Sequence, residues 1–363
     1  MIRFRRRRSS ASPSQGPVGF ADVDQALAAA DELVAAARFE EALDLLKEQN
    51  RHQRDRRIDE HILMVRSQAF SHQQWPPNRP AWPDEVEDLF PGDLIPEVDR
   101  QDLSVDTLRS GILNHGSLLV RNLVPAEQVE RLTADIDRAL ASYDAAADGD
   151  VGPELAGWYQ RFERDDISSR ERKRTRGAIM AVESPPTLFD LLETFDDVGV
   201  SDVVRGYFGE QPLLMARKAT LRLASHTRNT GGWHQDGAFM GAGIRSLNIW
   251  LSLSHCGDVA PGLDVVGKRL DHIVQTGTKF SAWATNPKAA QEAAAGVLVR
   301  PIFGPGDALL FDHMNLHRTA IDPEMEHDRY AIETWLFGAS TYESMTAQVD
   351  EGYDPRDQVP ILF

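Results

Sequence analysis

The sequence predicts an α+β protein, with helices first and an antiparallel β core after them. Three observations carry that expectation. Apolar residues recur at helical spacing through 22–72, the period switches to two from about residue 212, and the later alternating runs are separated by Gly, Pro and Asp turns. Sheets flanked by helices close most simply as two packed layers, so the expected core is a jelly-roll, cupin-like barrel, a double-stranded β-helix.

In chain order, residues 1–19 read as a disordered basic tail, with Arg3, Arg5, Arg6, Arg7 and Arg8 ahead of a Ser-rich stretch. Residues 20–74 read as a helical hairpin, with Leu27, Leu33, Phe39, Leu43 and Leu46 on one stripe and Ile58, Ile62, Val65 and Phe70 on another. The small-residue stretch Ala35-Ala36-Ala37 resembles the turn of a tetratricopeptide helix pair. One such unit is too few for a solenoid, which needs about three repeats, so a packed hairpin is expected. Pro76, Pro77, Pro80 and Pro83 forbid helix and mark 75–104 as a linker. Within 105–342, residues 117–120 read as a strand and Pro125 opens a helix carrying Val129, Leu132, Ile136 and Leu140. An acidic loop is expected over 144–152, followed by strands over 213–223, 244–253, 297–302, 308–311 and 329–337. Residues 343–363 form a C-terminal extension.

Composition narrows the function. With 42% hydrophobic residues the chain is not disordered as a whole, and with a single cysteine, Cys256, it is not a disulfide scaffold. One thiol suits a reducing, cytoplasmic setting, where a packed and inert side chain is expected. No run approaches the ~18 apolar residues of a membrane span. The net charge is −17, and because five arginines fall in the first eight residues, the remainder stands at −22. Such a body repels phosphate backbones, which excludes nucleic acid as the main partner and leaves a small-molecule substrate.

His234-Gln235-Asp236 lies between Gly231-Gly232 and Gly237. On extended backbone, positions i and i+2 share a face, so imidazole and carboxylate can converge on one metal ion. A second histidine follows Gly306-Asp307 and the apolar run 308–311, with His313 and His317 both available. Two His and one carboxylate make the facial triad of non-haem Fe(II) oxygenases, with three positions left open. Arg329 lies twelve residues after His317, and a buried guanidinium suits a dicarboxylate through its bidentate fork.

Taken in order, 116–125 (Gly-Ser-Leu-Leu-Val-Arg-Asn-Leu-Val-Pro), Trp233-His234-Gln235-Asp236, Gly306-Asp307 with His317 ten residues after that Asp, and Arg329 resemble the phytanoyl-CoA dioxygenase family of Fe(II)- and 2-oxoglutarate-dependent oxygenases. The resemblance spans roughly 105–340. It implies that His234, Asp236 and His317 hold Fe(II), that spacing from Gly306-Asp307 favours His317 over His313, and that Arg329 and Thr319 bind the far carboxylate of 2-oxoglutarate. It also places Trp250 near that co-substrate. O2 would then be consumed with decarboxylation to succinate and hydroxylation of a C–H bond, and the carboxylate of Asp236 disfavours halogenation. The chain departs from the family in having 265–269 (Val-Val-Gly-Lys-Arg) where relatives carry a Pro-Gly-Ser-His turn, and in an Arg one residue late.

Two rivals stay open: a cupin-type Mn or Zn enzyme without 2-oxoglutarate, and a non-catalytic protein whose hairpin recruits partners. His226, His255 and His272 show no matched carboxylate in the sequence. The basic run 170–176 either lines the site's mouth, attracting an anionic substrate, or is a solvated face.

Overall fold

The computed structural model describes residues 22–52, 55–72, 82, 85–161, 174–228, 231–278, 281–341 and 360–363. The basic tail, Pro76, Pro77, Pro80 and Pro83 of the expected linker, residues 170–173 and most of the C-terminal extension therefore lie outside the described residues. Two compact units are present, the first holding the described residues up to 72 with Pro360–Leu362, the second those from Trp82 to Thr341 with Phe363.

The first unit contains three helices where two were expected. Helix α1 (Val23–Ala35) begins at Asp22, whose side chain accepts from the Asp24 amide at 3.1 Å. Ala37 takes φ +56° in a tight turn that small residues tolerate, and α2 (Phe39–His52) follows. The second apolar run forms its own helix α3 (Arg56–Ser71), because Asp55 caps a fresh start by accepting from the Arg57 amide at 2.8 Å. Ala26, Ala30, Phe39, Leu46, Ile58 and Ile62 bury the shared face. The short strand Pro360–Leu362 joins this unit, with Arg66 Nη1 donating to the Leu362 carbonyl at 2.9 Å.

The second unit mixes helix and sheet. Strand β1 (Glu97–Asp99) lies in the stretch read as linker and pairs in parallel with β2 (Ser117–Arg121); Pro96 directly precedes it, a place where a strand's first residue loses no ladder hydrogen bond. Between them stand α4 (Val105–Ser110) and a π turn over Gly111–His115. Helix α5 (Ala126–Asp148) runs into the region expected as an acidic loop and stops at Gly149, φ +78°. Then come β3 (Ala178–Met180), α6 (Pro185–Asp197), α7 (Val200–Phe208), β4 (Pro212–Met215) and β5 (Thr220–Ala224). After α8 (Gly237–Met240) the chain forms β6 (Ser246–Ser252), β7 (Gly262–Val266), the β8 (Thr276–Thr278) and β9 (Ser281–Thr285) hairpin, and α9 (Pro287–Ala294). It ends in β10 (Leu298–Val299), β11 (Ala308–Phe311), β12 (His317–Ala320) and β13 (Arg329–Gly338).

The main sheet runs β1-β2-β11-β6-β13, antiparallel from β2 onward. The ten-residue β13 pairs with β5 along its first half and β4 along its second, and β3 pairs with β5. A separate antiparallel sheet has the order β10-β7-β12. Cross-strand register sorts the main sheet into two faces. Leu118, Leu310, Ile249, Leu251, Ile332 and Leu221 share one, each at most 1% exposed. Burying each contributes roughly 2 kcal/mol, and α5 lies against β5 and α7 against β4 on the same unit's helical layer. Ala178, Arg222, Thr220, Glu333, Trp250, Asn248, Trp335 and Phe311 share the other face, and all of them line one cavity.

Gly306-Asp307, expected as a family anchor, is a structural clamp. Asp307 accepts from the Asn122 amide at 2.9 Å and the Gly304 amide at 2.8 Å, and meets Arg121 Nη1 at 2.7 Å. Gly306 sits at φ +92°, and a Cβ there would lie 2.2 Å from the Val124 carbonyl oxygen. Only glycine fits such a position. Asp307→Ala leaves the Asn122 and Gly304 amides without their acceptor and Arg121 with the Glu97 carboxylate alone, and should cost about 3 kcal/mol, read as a lowered denaturant midpoint at constant slope. An unchanged midpoint would contradict the clamp.

Candidate metal centre

Two chain segments far apart in sequence meet at the site. His234 and His317 form a two-way backbone bridge, each amide donating to the other's carbonyl, at 3.0 and 3.1 Å. The rings stand 4.4 Å apart between centroids. The His-x-Asp turn is only half extended: His234 is in that bridge, whereas Asp236 has helical angles (φ −65°, ψ −23°) and opens α8. Gly237 permits the turn, since a Cβ there would come within 3.1 Å of the His313 carbonyl oxygen. Gln235, fully buried between the two, pins the loop from the opposite side. Its Nε2 donates to the Met314 and His272 carbonyls at 2.7 and 3.1 Å, and its Oε1 accepts from the Val274 amide at 2.7 Å.

One ligating atom each from His234, Asp236 and His317 lies within 4.8 Å of the others, the one such His/Cys/Asp/Glu group of three or more among the described residues. Each imidazole places Nδ1 against a carbonyl, Gly232 at 3.0 Å for His234 and Asn315 at 3.2 Å for His317. A carbonyl only accepts, so Nδ1 carries the proton and Nε2 keeps a lone pair. Burial, reinforced by the neighbouring His234, pulls His317 down to about 4, so it is neutral at physiological pH. Burial alone would hinder ionisation of Asp236, but the Lys218 ammonium, 3.2 Å from Oδ1, and the two imidazoles outweigh it and hold the carboxyl below its usual range. Two imidazoles and a carboxylate around one point are a ready donor set for a divalent cation.

His313 is otherwise engaged. Its Nδ1 meets Ser246 Oγ at 2.9 Å and its Nε2 meets the Ala242 carbonyl at 3.0 Å, so neither nitrogen is spare.

The cavity beside the triad measures about 490 Å³, a size suited to a small-molecule ligand. Thr319, which pairs with Leu263 across β12 and β7, and Trp250 on β6 both line it. Arg329, 1% exposed, lies behind Trp250 with its guanidinium carbon 4.9 Å from that ring's centroid. Its Nη1 donates to the Pro261 and Gly262 carbonyls at 3.1 and 3.3 Å. No carboxylate pairs with it among the described residues, and its buried Nε has no acceptor. Burial draws it down to about 10, which still leaves it protonated. The buried Nε1 of Trp250 is likewise without an acceptor.

Several lining residues had no signal in the sequence. Lys218, Arg222, Glu333, Trp335, Phe239 and Trp283 reach the cavity through cross-strand register or loop packing. Arg222 Nε meets Glu333 Oε1 at 3.0 Å. Burial works against Glu333 ionising, yet Arg222 and then Arg329 keep its carboxyl below the usual range. Of the basic run, Arg176 lines the cavity, while Arg174 is turned to Asp144 in a bidentate pair at 2.8 and 2.5 Å.

Three histidines depart from expectation. His226, His255 and His272 each do meet a carboxylate, Asp328 at 2.6 Å, Asp258 at 2.8 Å and Asp271 at 2.8 Å, because turns in the fold bring these local or distant acids to them. Cys256 is buried, with Sγ 3.3 Å from Ser252 Oγ, and burial raises its thiol.

Comparison with known proteins adds a family. The model of the family described as phytanoyl-CoA dioxygenase (PhyH) matches residues 112–320, more than half of the chain. No curated protein matches by sequence. Among solved structures, the chain is similar to the epimerase SnoN in complex with Fe3+, alpha ketoglutarate and nogalamycin RO, at 15% identity and TM-score 0.44, covering 69% of this chain and 92% of that one. It is also similar to EctD from S. alaskensis with 2-oxoglutarate and 5-hydroxyectoine (16%, TM-score 0.45, 74% and 80%) and to EvdO2 from Micromonospora carbonacea var. aurantiaca (15%, TM-score 0.45, 64% and 89%). Likenesses this distant carry no functional inference, whereas the family match does.

The two histidines of β12 and its approach should separate cleanly. His317→Ala should weaken Fe(II) binding by about 100-fold or more, measured anaerobically by metal titration. His313→Ala should retain one Fe(II) per chain and lose about 2 kcal/mol of stability through its broken hydrogen bonds. The reverse pattern would place the metal elsewhere.

Proposed function

The chain belongs to the phytanoyl-CoA dioxygenase family of Fe(II)- and 2-oxoglutarate-dependent oxygenases, and from that premise we propose that His234, Asp236 and His317 hold its iron while Arg329, Thr319 and Trp250 receive 2-oxoglutarate. The observation that carries the reading is the convergence of three ligating atoms within 4.8 Å, with both imidazoles oriented through Nδ1. The donor set fits Fe(II), since it leaves three coordination positions open.

The co-substrate fits as well. A buried guanidinium without a carboxylate partner is costly, and a dicarboxylate's far end would satisfy it through charge-assisted bonds. The orphaned Arg329 Nε supplies a donor, and the Thr319 hydroxyl and Trp250 Nε1 offer others nearby. Bound there, Fe(II) and 2-oxoglutarate would supply the oxidising chemistry, O2 giving one oxygen atom to the succinate formed with loss of CO2 and the other to a substrate C–H bond. The protein's own share is to fix the ligands, clamp the far carboxylate and keep the substrate in a half-enclosed cavity that mixes aromatic walls with charged and polar side chains. We read the reaction as hydroxylation of a small molecule or carrier-bound metabolite, because the Asp236 carboxylate occupies the position a halide would need.

The two sheets read as the halves of a double-stranded β-helix, since β7 and β12 on one and β6, β11 and β13 on the other face the same cavity. The oxygenase domain is read as 105–342, with the helical segment 20–74 as an appendage and the cytoplasm as compartment. No described helix is long and apolar enough to cross a membrane. A cupin-type enzyme without 2-oxoglutarate leaves the Arg329 charge unanswered, and a non-catalytic barrel leaves an intact donor set without use.

Anaerobic addition of Fe(II) and 2-oxoglutarate should give the weak visible charge-transfer band of a chelated keto acid. A flat spectrum from metal-loaded protein would overturn the reading. Arg329→Ala should weaken 2-oxoglutarate by roughly 100-fold, in line with the loss of a buried charge-assisted pair, and leave the Fe(II) requirement nearly unchanged. Equal loss of both would assign Arg329 to folding instead.

A further inference from the structure

Lys218 stands out among the cavity residues. The β4–β5 turn holds it rigidly, with the Lys218 and Ala219 amides both donating to the Met215 carbonyl at 2.9 and 3.0 Å. Its ammonium lies 4.3 Å from the centroid of Phe239 and 5.6 Å from that of Trp335, both cavity walls. Of its three N–H donors, one is met by Asp236 Oδ1 at 3.2 Å. Once Asp236 coordinates a cation its charge is shared, and Lys218 is left with two donors and little counter-charge. Taking a divalent ion, a keto-acid dianion, Asp236, Glu333, Arg222, Arg329 and Lys218 together leaves one positive charge uncompensated, and the exposed Arg176 of the cavity lining adds a second.

A second observation points the same way. Asn248, 3% exposed and lining the cavity, has an Oδ1 with no hydrogen-bond partner. It is the cross-strand neighbour of Trp335, over which Lys218 sits. Buried amides of this kind are satisfied in a working protein, so Oδ1 is an acceptor open to a donor from a ligand or a water in the cavity. Around both groups the walls are aromatic: Phe239 and Trp283 meet edge to face at 6.3 Å, and Trp283 is 44% exposed at the rim. Trp283 is therefore accessible to a ligand in the cavity it lines.

We propose that Lys218 and Asn248 anchor the substrate, a small organic monocarboxylate that also carries a hydroxyl or N–H donor and whose apolar body packs on Phe239, Trp283 and Trp335. The inference deepens the oxygenase reading and rests on it for the charge on Asp236.

The test uses 3-(4-hydroxyphenyl)propionate, which carries the carboxylate and a hydroxyl donor on an apolar body, and its neutral counterpart 3-(4-hydroxyphenyl)propanamide, titrated into Fe(II)-loaded protein under anaerobic conditions. Saturating 2-oxoglutarate fills the keto acid's own place, and tryptophan fluorescence reports binding. The wild type should prefer the acid by about tenfold or more, as a charge-assisted bond requires. Lys218→Arg should keep most of that preference. Lys218→Met, which retains the stem against the rings, should reduce it to about twofold or less while the keto-acid absorption band persists. A wild type indifferent to charge, or a preference that survives in Lys218→Met, overturns the proposal. Loss of the band in Lys218→Met also overturns it, since Lys218 would then serve only to hold Asp236. A Lys218-dependent preference in protein that never forms the band would keep the anchor and sink the oxygenase reading instead.

Discussion

The site depends on a single pair of backbone hydrogen bonds, those that tie His234 to His317. The two histidines are far apart along the chain, and no other interaction sets their spacing so directly. The bridge fixes both main chains, the carbonyls of Gly232 and Asn315 then fix both rings, and Gln235 holds the turn that brings Asp236 alongside. Rigidity at this point matters because metal donors must be within a few tenths of an ångström of their working geometry before the metal arrives. Bound metal would in turn lock the bridge, so folding of this loop and loading of the centre are coupled.

Charge is distributed to make that burial tolerable. The carboxylate of Asp236 is answered by Lys218, Glu333 by Arg222, and Asp307 by Arg121, so most buried ions have an opposite within 3.2 Å. Arg329 is the exception, satisfied by two carbonyls and a ring but by no anion among the described residues. Buried cations without anions are destabilising unless a ligand completes them. The imbalance is therefore concentrated at one guanidinium, and an anion bound against it should tighten the whole sheet around β13.

Much of this was legible in the chain. His234, Asp236 and Gly306-Asp307 are local patterns whose meaning depends on one or two neighbouring residues, and His317 and Arg329 follow them at short, countable spacings. The residues that escaped reading are those placed by register. Glu333 faces the cavity because it pairs with Trp250 and Thr220, and Arg222 because it pairs with Ala331, relations that no stretch of sequence displays. Lys218 sits in a turn with no pattern at all. The expected hairpin became three helices because one capping aspartate, Asp55, restarted the chain, and the acidic loop gave way to α5 because alanines at 145–147 favour helix more than the aspartates oppose it. Gly306-Asp307 was recognised by resemblance, while its physical work, clamping the 121–122 corner, needed coordinates to see.

The proposed function rests on two imidazoles and one carboxylate meeting at one ferrous ion with a keto acid beside it. A crystal structure of the protein grown anaerobically with Fe(II) and 2-oxoglutarate tests that most directly. The expected result is His234 Nε2, His317 Nε2 and one Asp236 oxygen about 2.1 Å from a single metal ion, with the keto acid's far carboxylate against Arg329. A metal held by other side chains, or a keto acid that leaves Arg329 unpaired, would contradict it.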